Sequence, residues 1–319
     1  MLITIGAFDG FHKGHAELLR ICRENSDGKN WGAVTFHPHP SEYMHRLNHS
    51  LFTLREKEFI RLVLGIPNMY VLKFDDGLMN LSPSEFWALL RGRLHVDGLV
   101  MGSDFRFGRG ASGNAECLKG LAEADGLRKI FIADVIDKVR YSSSQVRECV
   151  RSGSVDMAAE ILGYPFFMMG RVLHGNERGR TLGYPTANID VSGGRITPAY
   201  GVYSCSVLAG GEWHCGALSV GINPTFRDVH ETRAEVHILG FSGDIYGEVL
   251  PVFLLGRVRD IKAFNGKDEL TRQIARDVEA CSKIYKEVMD RDDTKKFMER
   301  AKEIYSSHEK FTPEIITLI

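Results

Sequence analysis

The chain has 319 residues, 44% of them hydrophobic, with 40 Lys and Arg against 41 Asp and Glu. That length allows two ordinary domains, each with its own core. A formal net charge of −1 gives no basic field for nucleic acid or an acidic membrane surface. No apolar run is long enough to span a bilayer, and the N-terminus lacks a signal-peptide pattern. The six cysteines, Cys22, Cys117, Cys149, Cys205, Cys215 and Cys281, form no C-x-x-C pair. That argues against a disulfide scaffold, thiolate zinc and redox dithiols. The expectation is a soluble, cytoplasmic protein without nucleic-acid or membrane partners; the oligomeric state is open.

In the first half, short β-branched runs alternate with helical patterns. Strands are predicted at Leu2–Ile5, Ala33–Phe36, Met69–Phe74, Gly98–Met101 and Ile130–Ala133. Helices are predicted at Gly14–Glu24, Arg55–Leu64, Pro83–Leu90, Ala115–Ala124 and Ser144–Arg151. The alternation predicts an α/β domain, a parallel sheet with helices on both faces. Ligands of such sheets sit beyond the carboxyl ends of the strands.

"GAFDGFHKGH" falls at such an end, after the first strand. Gly6 and Gly10 allow a sharp turn and close approach to a ligand. The helix starting near Gly14 turns its free N–H groups to the same spot. His12 and His15 can reach an anion there and stabilise charge on a phosphoryl group. With His37 and His39 of "HPHP" they also offer four imidazoles to zinc. The loop-to-helix break between His12 and His15 and the prolines beside His37 and His39 disfavour that alternative. "MGSDFRFGRG" follows another strand end. "YSSSQVRE" opens the last helix of this half, and Ser142 with Gln145 fits a capping box. Arg147 lies a turn beyond Ser143 and Ser144, so hydroxyls and guanidinium can face one phosphate.

Taken in order, G-x-F-D-G-x-H-x-G-H, "TFHPHP", "GSDFRFG" and "SSSQVR" resemble the adenylyltransferase half of bifunctional bacterial riboflavin kinase/FAD synthetases. The resemblance covers roughly residues 3–150 and implies a Rossmann-like nucleotidyltransferase. By it, His12, His15 and Arg147 serve the ATP phosphates, with Ser143 and Ser144 beside them. Gly6, Phe8, Asp9, Gly10, Asp104 and Phe105 line the nucleotide. His37 departs from the pattern, which more often has an acidic residue there.

The second half changes character near "ILGYPFFMMGRV". Strands are predicted at Phe167–Leu173, Val202–Leu208, His214–Gly221, Ala234–Phe241 and Val249–Leu255, then a helix at Asp268–Val288. This reads as a small antiparallel β-barrel closed by an α-helix. A further helix is predicted at Lys295–Tyr305. The predicted domains are 1–163, 164–290 and a C-terminal extension, 291–319, without an assigned role.

"GNERGRTLGYPTAN", Gly175 to Asn188, is a glycine-rich basic loop without the Lys-Ser/Thr pair of a P-loop. By itself it fits a hairpin turn as well as a phosphate loop. Thr186 and Asn188 are two apart, so an extended strand puts them on one face. Hydroxyl and amide oxygens suit Mg²⁺ that keeps its waters and holds nucleotide phosphates. Gly175, Gly179 and Gly183 can form an anion nest beside Arg178 and Arg180, and Pro185 enters the strand. In "TRAEVHIL", Glu235 and His237 fall on the face opposite Ala234, Val236 and Ile238. Glu235 is either a solvated charge or the acceptor of an alcohol proton; His237 is structural or lines the substrate.

"GRVLHGNERGRTLGYPTANI", "SVGINPTF", "AEVHIL" and "DIYGEVLPVFLLGRVRDIKAF" resemble the riboflavin kinase module over about 168–288. The resemblance implies that Thr186 and Asn188 bind Mg²⁺, that Glu235 is the base for the ribityl 5′-hydroxyl, and that the glycine loop covers ATP. The combined expectation is ATP-dependent conversion of riboflavin to FMN, then of FMN to FAD with release of pyrophosphate. Two alternatives stand beside it: a kinase whose adenylyltransferase half is weakened or lost, and a non-catalytic flavin-binding regulator.

Overall fold

The computed structural model describes residues 1–47, 49–133, 141–175, 179, 182–222, 232–307, 311, 315 and 316. Its contacts divide the chain into two units. The first comprises Met1–Ser50, Lys57–Ser142 and Lys310–Ile319; the second comprises Leu51–Glu56 and Ser143–Glu309. This division is not that of the sequence modules, because residues 143–162 group with the barrel and the chain's end with the first sheet.

The first unit runs β1 (Leu2–Ile5), α1 (Lys13–Asn25), β2 (Trp31–His37), α2 (Pro40–Tyr43), α3 (Leu54–Val63), β3 (Asn68–Lys73), α4 (Asp76–Met79) and α5 (Pro83–Leu94). It continues through β4 (Gly98–Gly102), β5 (Arg106–Phe107), β6 (Gly113–Asn114), α6 (Ala115–Ala124) and β7 (Lys129–Ala133). The first turn of α3 is counted with the second unit. Every strand predicted for this half is present within a residue or two. The four-residue helices α2 and α4 escaped prediction, being too short to show a period.

β3, β2, β1, β4 and β7 form a parallel sheet in that order. β1 is apolar at three of its four positions, Thr4 being the exception, and is wholly buried, as a parallel strand covered on both faces must be. Ile3, Ile5, Val34, Leu99 and Met101 pack with Phe86, Leu90 and Leu94 of α5 and Leu118 of α6. β1 has β2 on one side and β4 on the other, so successive connections diverge from it. That makes the carboxyl end of β1 the switch-point crevice of the sheet.

The second unit holds α7 (Ser143–Ser152), α8 (Val155–Leu162), β8 (Phe167–Leu173), β9 (Ala187–Ile189), β10 (Gly201–Ala209), β11 (Glu212–Ile222), β12 (Thr232–Ile238), β13 (Val249–Arg259), α9 (Lys267–Met289) and α10 (Asp292–Ser307). The six strands close a barrel in the order β10-β11-β12-β9-β8-β13, every neighbouring pair antiparallel. Leu218, Val220, Ala234, Val236 and Ile189 share one buried face. On the other face Ser204 Oγ donates to the Cys281 carbonyl of α9 at 2.8 Å, so α9 covers the barrel's outside.

Glu56, 0% exposed, fastens residues 51–56 to this unit. Its carboxylate accepts from Thr53 N (2.7 Å), Thr53 Oγ1 (2.8 Å), Met169 N (2.6 Å) and the guanidinium of Arg195. The extension beyond residue 290 also has a place. Trp213 Nε1 donates to the Met298 carbonyl at 3.0 Å, and Tyr305 donates to the Val249 carbonyl at 2.7 Å, so α10 docks on the barrel. β14 (Ile315–Ile316) then adds to β3 as a sixth parallel strand of the first sheet.

Candidate functional site

In the first unit the loop after β1 is folded against itself. Gly10 has φ 98°, and Phe8 and Phe11 have φ 42° and 40°, a left-handed conformation that side chains disfavour. Such strain costs on the order of 1–3 kcal/mol per residue and tends to mark functional loops. Packing holds it here: the Phe8 and Phe11 rings stack at 5.4 Å, and Phe8 meets the edge of His15 at 5.0 Å. A Cβ on Gly6 would press on the Phe8 ring at 3.3 Å.

His12 stands at the N-cap position of α1 without a side-chain cap bond and stacks on His15 with ring centroids 3.8 Å apart. A Cβ on Gly14, between them, would lie 2.8 Å from the Tyr141 carbonyl and 3.0 Å from the His12 ring, which is why the motif needs glycine there. His15 Nδ1 is buried without a hydrogen-bond partner. Burial, then His12 and Lys57, hold the His15 pKa well below the ordinary imidazole value. The ring is therefore neutral at pH 7, a hydrogen-bonding group more than a cation. Asp9 is 1% exposed. Asp104 and Phe105 follow β4, the strand beside β1, with Phe105 stacked on Phe107 at 5.4 Å.

Sequence reasoning missed Lys57. In "LREKEFIRL" it reads as a solvated helix charge, yet it is 5% exposed. Its Nζ donates to the Ala7 carbonyl (3.0 Å) and to Thr35 Oγ1 (3.3 Å). His39 Nδ1 accepts from Ser41 N at 3.1 Å, capping α2, so it serves the helix. Among the described residues no group of three or more His, Cys, Asp or Glu is arranged to hold a metal. Ser143, Ser144 and Arg147 open α7 and belong to the second unit; Arg147 is buried.

In the second unit β9 lies between β8 and β12, with Asn188 opposite Glu235 and Glu235 opposite Ser219 of β11. Ser219, Glu235 and Asn188 thus form one row on the barrel's outer face, with Thr186 two residues along from Asn188 on the same side. Two pockets adjoin the row. One, of about 300 Å³, is lined by Glu235, His237, Ser219, Thr186 and Gly179, by apolar Leu182, Tyr184, Phe264, Leu270 and Ile274, and by Arg259 and Asp277. The other, of about 240 Å³, is lined by Val172, Pro185, Thr186, Val236, Ile238 and Tyr246. Thr186 is common to both, and β12 sends alternate residues to the two.

His237 Nδ1 lies 2.8 Å from the Pro185 carbonyl, which can only accept, so Nδ1 carries the proton and ties β12 to the P-T-A-N turn. Arg259 makes a two-pronged bond to Asp277 of α9 (2.9 and 2.7 Å), and Gln273 supports Asp277 at 2.8 Å. That pair was not foreseen, because its partners are 18 residues apart and meet only once α9 packs on the barrel. Gly175 lies so close to Asn188 that a Cβ would collide with its amide. Gly183 has φ 80°, a conformation suited to glycine. Arg178 and Arg180 lie outside the described residues. The donor set of one carboxylate, one amide and one hydroxyl is all hard oxygen. It fits an ion of the Mg²⁺ type held mainly by water and phosphate.

A histidine loop at a sheet switch point and an oxygen-lined strand row between two pockets define a chain with two nucleotide-handling units. Comparison with known proteins also finds two modules, with bounds that differ from those of the contact units. The FAD synthetase family model matches residues 1–147 and the riboflavin kinase model residues 162–285. Bifunctional riboflavin kinase/FMN adenylyltransferases are similar over most of the chain. The Listeria monocytogenes protein is 34% identical over 86% of this chain and 90% of its own, and the Escherichia coli K12 protein is 35% identical over the same shares. A solved structure described as a macrolide-efflux protein from Streptococcus pneumoniae superposes with a TM-score of 0.78 at 33% identity, covering 88% of this chain and 93% of that one. Among the described residues no helix is long and apolar enough to cross a membrane. The chain belongs to the bifunctional riboflavin kinase/FMN adenylyltransferase family.

Proposed function

We propose that the barrel site phosphorylates riboflavin and the first-unit site adenylylates the resulting FMN. The observation that carries the kinase assignment is Thr186, which lines two pockets of unlike character. The larger pocket sets an aromatic and aliphatic wall of Tyr184, Phe264, Leu270 and Ile274 against polar Ser219, Glu235, His237 and Arg259, which suits a flavin ring with its hydroxylated side chain. The smaller one suits the nucleotide. Glu235, on the flavin side, accepts the proton of the ribityl 5′-hydroxyl as its oxygen bonds to the γ-phosphorus and ADP leaves. Phosphoryl transfer through a loose transition state depends on position and charge, so an ordinary carboxylate suffices. Thr186 and Asn188 hold Mg²⁺, which when bound neutralises phosphate charge. The loop from Gly175 to Gly183, with Arg178 and Arg180, covers the ATP phosphates.

In the first unit, Gly6, Phe8, Asp9, Gly10, Asp104 and Phe105 surround ATP, and His12 and His15 contact its phosphates. Ser143, Ser144 and Arg147 are assigned to the same triphosphate from their motif alone. The functional modules are 1–163 and 164–290, with 291–319 a C-terminal extension without an assigned role. The protein works in the cytoplasm, consistent with six free cysteines, and a net charge of −1 offers nucleic acid no footing.

The test is Glu235→Ala assayed with riboflavin, ATP and Mg²⁺, products separated by chromatography. FMN formation should fall about 100-fold or more, in the range of a lost general base, while FAD formation from supplied FMN continues. Near-normal FMN production would refute the assignment of Glu235.

A further inference from the structure

Among the described residues of the first unit Lys57 is the one buried lysine, and it sits against the turn assigned to ATP. Two of its three N–H donors are committed, to the carbonyl of Ala7 in the "GAFDG" turn and to Thr35 Oγ1 near the end of β2. Those bonds fix the ammonium at the carboxyl ends of the two central strands. Its charge is felt by His15 and by His37, lowering the pKa of each, with burial as the larger cause in both cases. Asp9 and Glu42 act the other way on Lys57 and favour its charged form against burial. A single cation thus lies beside the first histidine motif and beside "HPHP".

Triphosphate chemistry needs positive charge where the negative charge moves. FMN's phosphate oxygen forms a bond to the α-phosphorus of ATP. The bond from that phosphorus to the bridging oxygen breaks, and the electron pair leaves with pyrophosphate; no proton has to move. A neutral His15 can donate a hydrogen bond in this step but brings no charge. We propose that Lys57 is a catalytic residue of the adenylyl transfer, its ammonium held by Ala7 and Thr35 so that the third N–H contacts a phosphate oxygen of ATP. The assignment rests on the reading that the first-unit site adenylylates FMN.

A structural role predicts a different outcome from a catalytic one. The Ala7 carbonyl also accepts from Thr35 Oγ1 at 2.8 Å, so removing the lysine leaves that acceptor bonded. Lys57→Met keeps the aliphatic stem and removes a buried charge. It also leaves the buried Asp9 without this countercharge, so some fall in melting temperature is expected, and a loss of FAD formation counts as catalytic where it exceeds the change in melting temperature and kinase rate.

The experiment uses the full-length chain carrying Lys57→Met, with FAD formation from FMN, FMN formation from riboflavin, melting temperature and binding of inorganic pyrophosphate measured in parallel. Expected are a fall of about 100-fold or more in kcat for FAD formation and at least tenfold weaker pyrophosphate binding, with the kinase rate within twofold. Lys57→Gln, whose amide can still donate to Ala7, should lose FAD formation to a similar degree. FAD formation within threefold of the parent in either variant would overturn the proposal. So would a loss that merely follows a fall in melting temperature and kinase rate in both. His12→Ala/His15→Ala is the control on the underlying reading. If that variant keeps full FAD formation, the site assignment fails, whatever Lys57 does.

Discussion

Glu56 offers the sharpest stability test, because its carboxylate is wholly enclosed and its donors are known. Glu56→Ala would strand the Arg195 guanidinium, itself 4% exposed, with the Met169 carbonyl at 3.1 Å as its one acceptor among the described residues. It would also leave the N–H of Met169 and the N–H and hydroxyl of Thr53 without this acceptor. Breaking a buried ion pair from one side costs about 3–5 kcal/mol. For a unit of about 170 residues, each kcal/mol shifts the melting temperature by about 2–4 °C. The expected loss is therefore about 6–20 °C, read by thermal unfolding with riboflavin kinase activity as a second probe. Arg195→Met should cost less, because Glu56 keeps three other donors, two from backbone and one from Thr53. An equal or larger loss in Arg195→Met, or a loss below about 1 kcal/mol in Glu56→Ala, would refute the picture of a carboxylate-centred network.

Gly175→Ala should depress the kinase about 100-fold through displacement of the Asn188 amide, while FAD formation from FMN is unchanged; an active kinase would show that Asn188 is not held where the close approach of Gly175 puts it. pH should act on the first unit from the acid side. His15 and His37 have folded pKa values below the unfolded value of 6.5, each chiefly through burial. Below 6.5 the unfolded chain takes up protons that the folded one resists, so stability falls as pH drops from 6.5 toward the folded values and is level above. Melting temperatures of the parent and of His15→Gln between pH 7.5 and 5 would check this. An identical slope in the two would remove His15 from the account.

Much of the fold was legible because both periods were strong. β1 is an apolar run interrupted only by Thr4, and β12 alternates Ala234, Val236, Ile238 with Glu235, His237, so each strand announced its setting. The candidate site was legible where its residues are close in sequence: His12 and His15 stack as neighbours on one turn, and Thr186 directly precedes the strand that carries Asn188. What stayed hidden depends on long-range packing. Lys57 looks like any helix lysine until α3 places it under Ala7 and Thr35, 50 and 22 residues away in sequence. Asp277 looks like a solvated helix acid until Arg259 closes on it. β14 is two residues long and acquires meaning only from the edge of β3.

β12 acts as a partition whose two sides are furnished by a single alternating sequence. Slipping it by one residue against β9 and β11 would present Val236 where Glu235 stands and turn the carboxylate toward the barrel's apolar side. The chemistry proposed for Glu235 and the folding register of this strand are thus one specification, written in the same five residues from Ala234 to Ile238. An insertion or deletion within β12 is then expected to abolish catalysis and barrel closure together, whereas a change of one outer side chain touches catalysis alone.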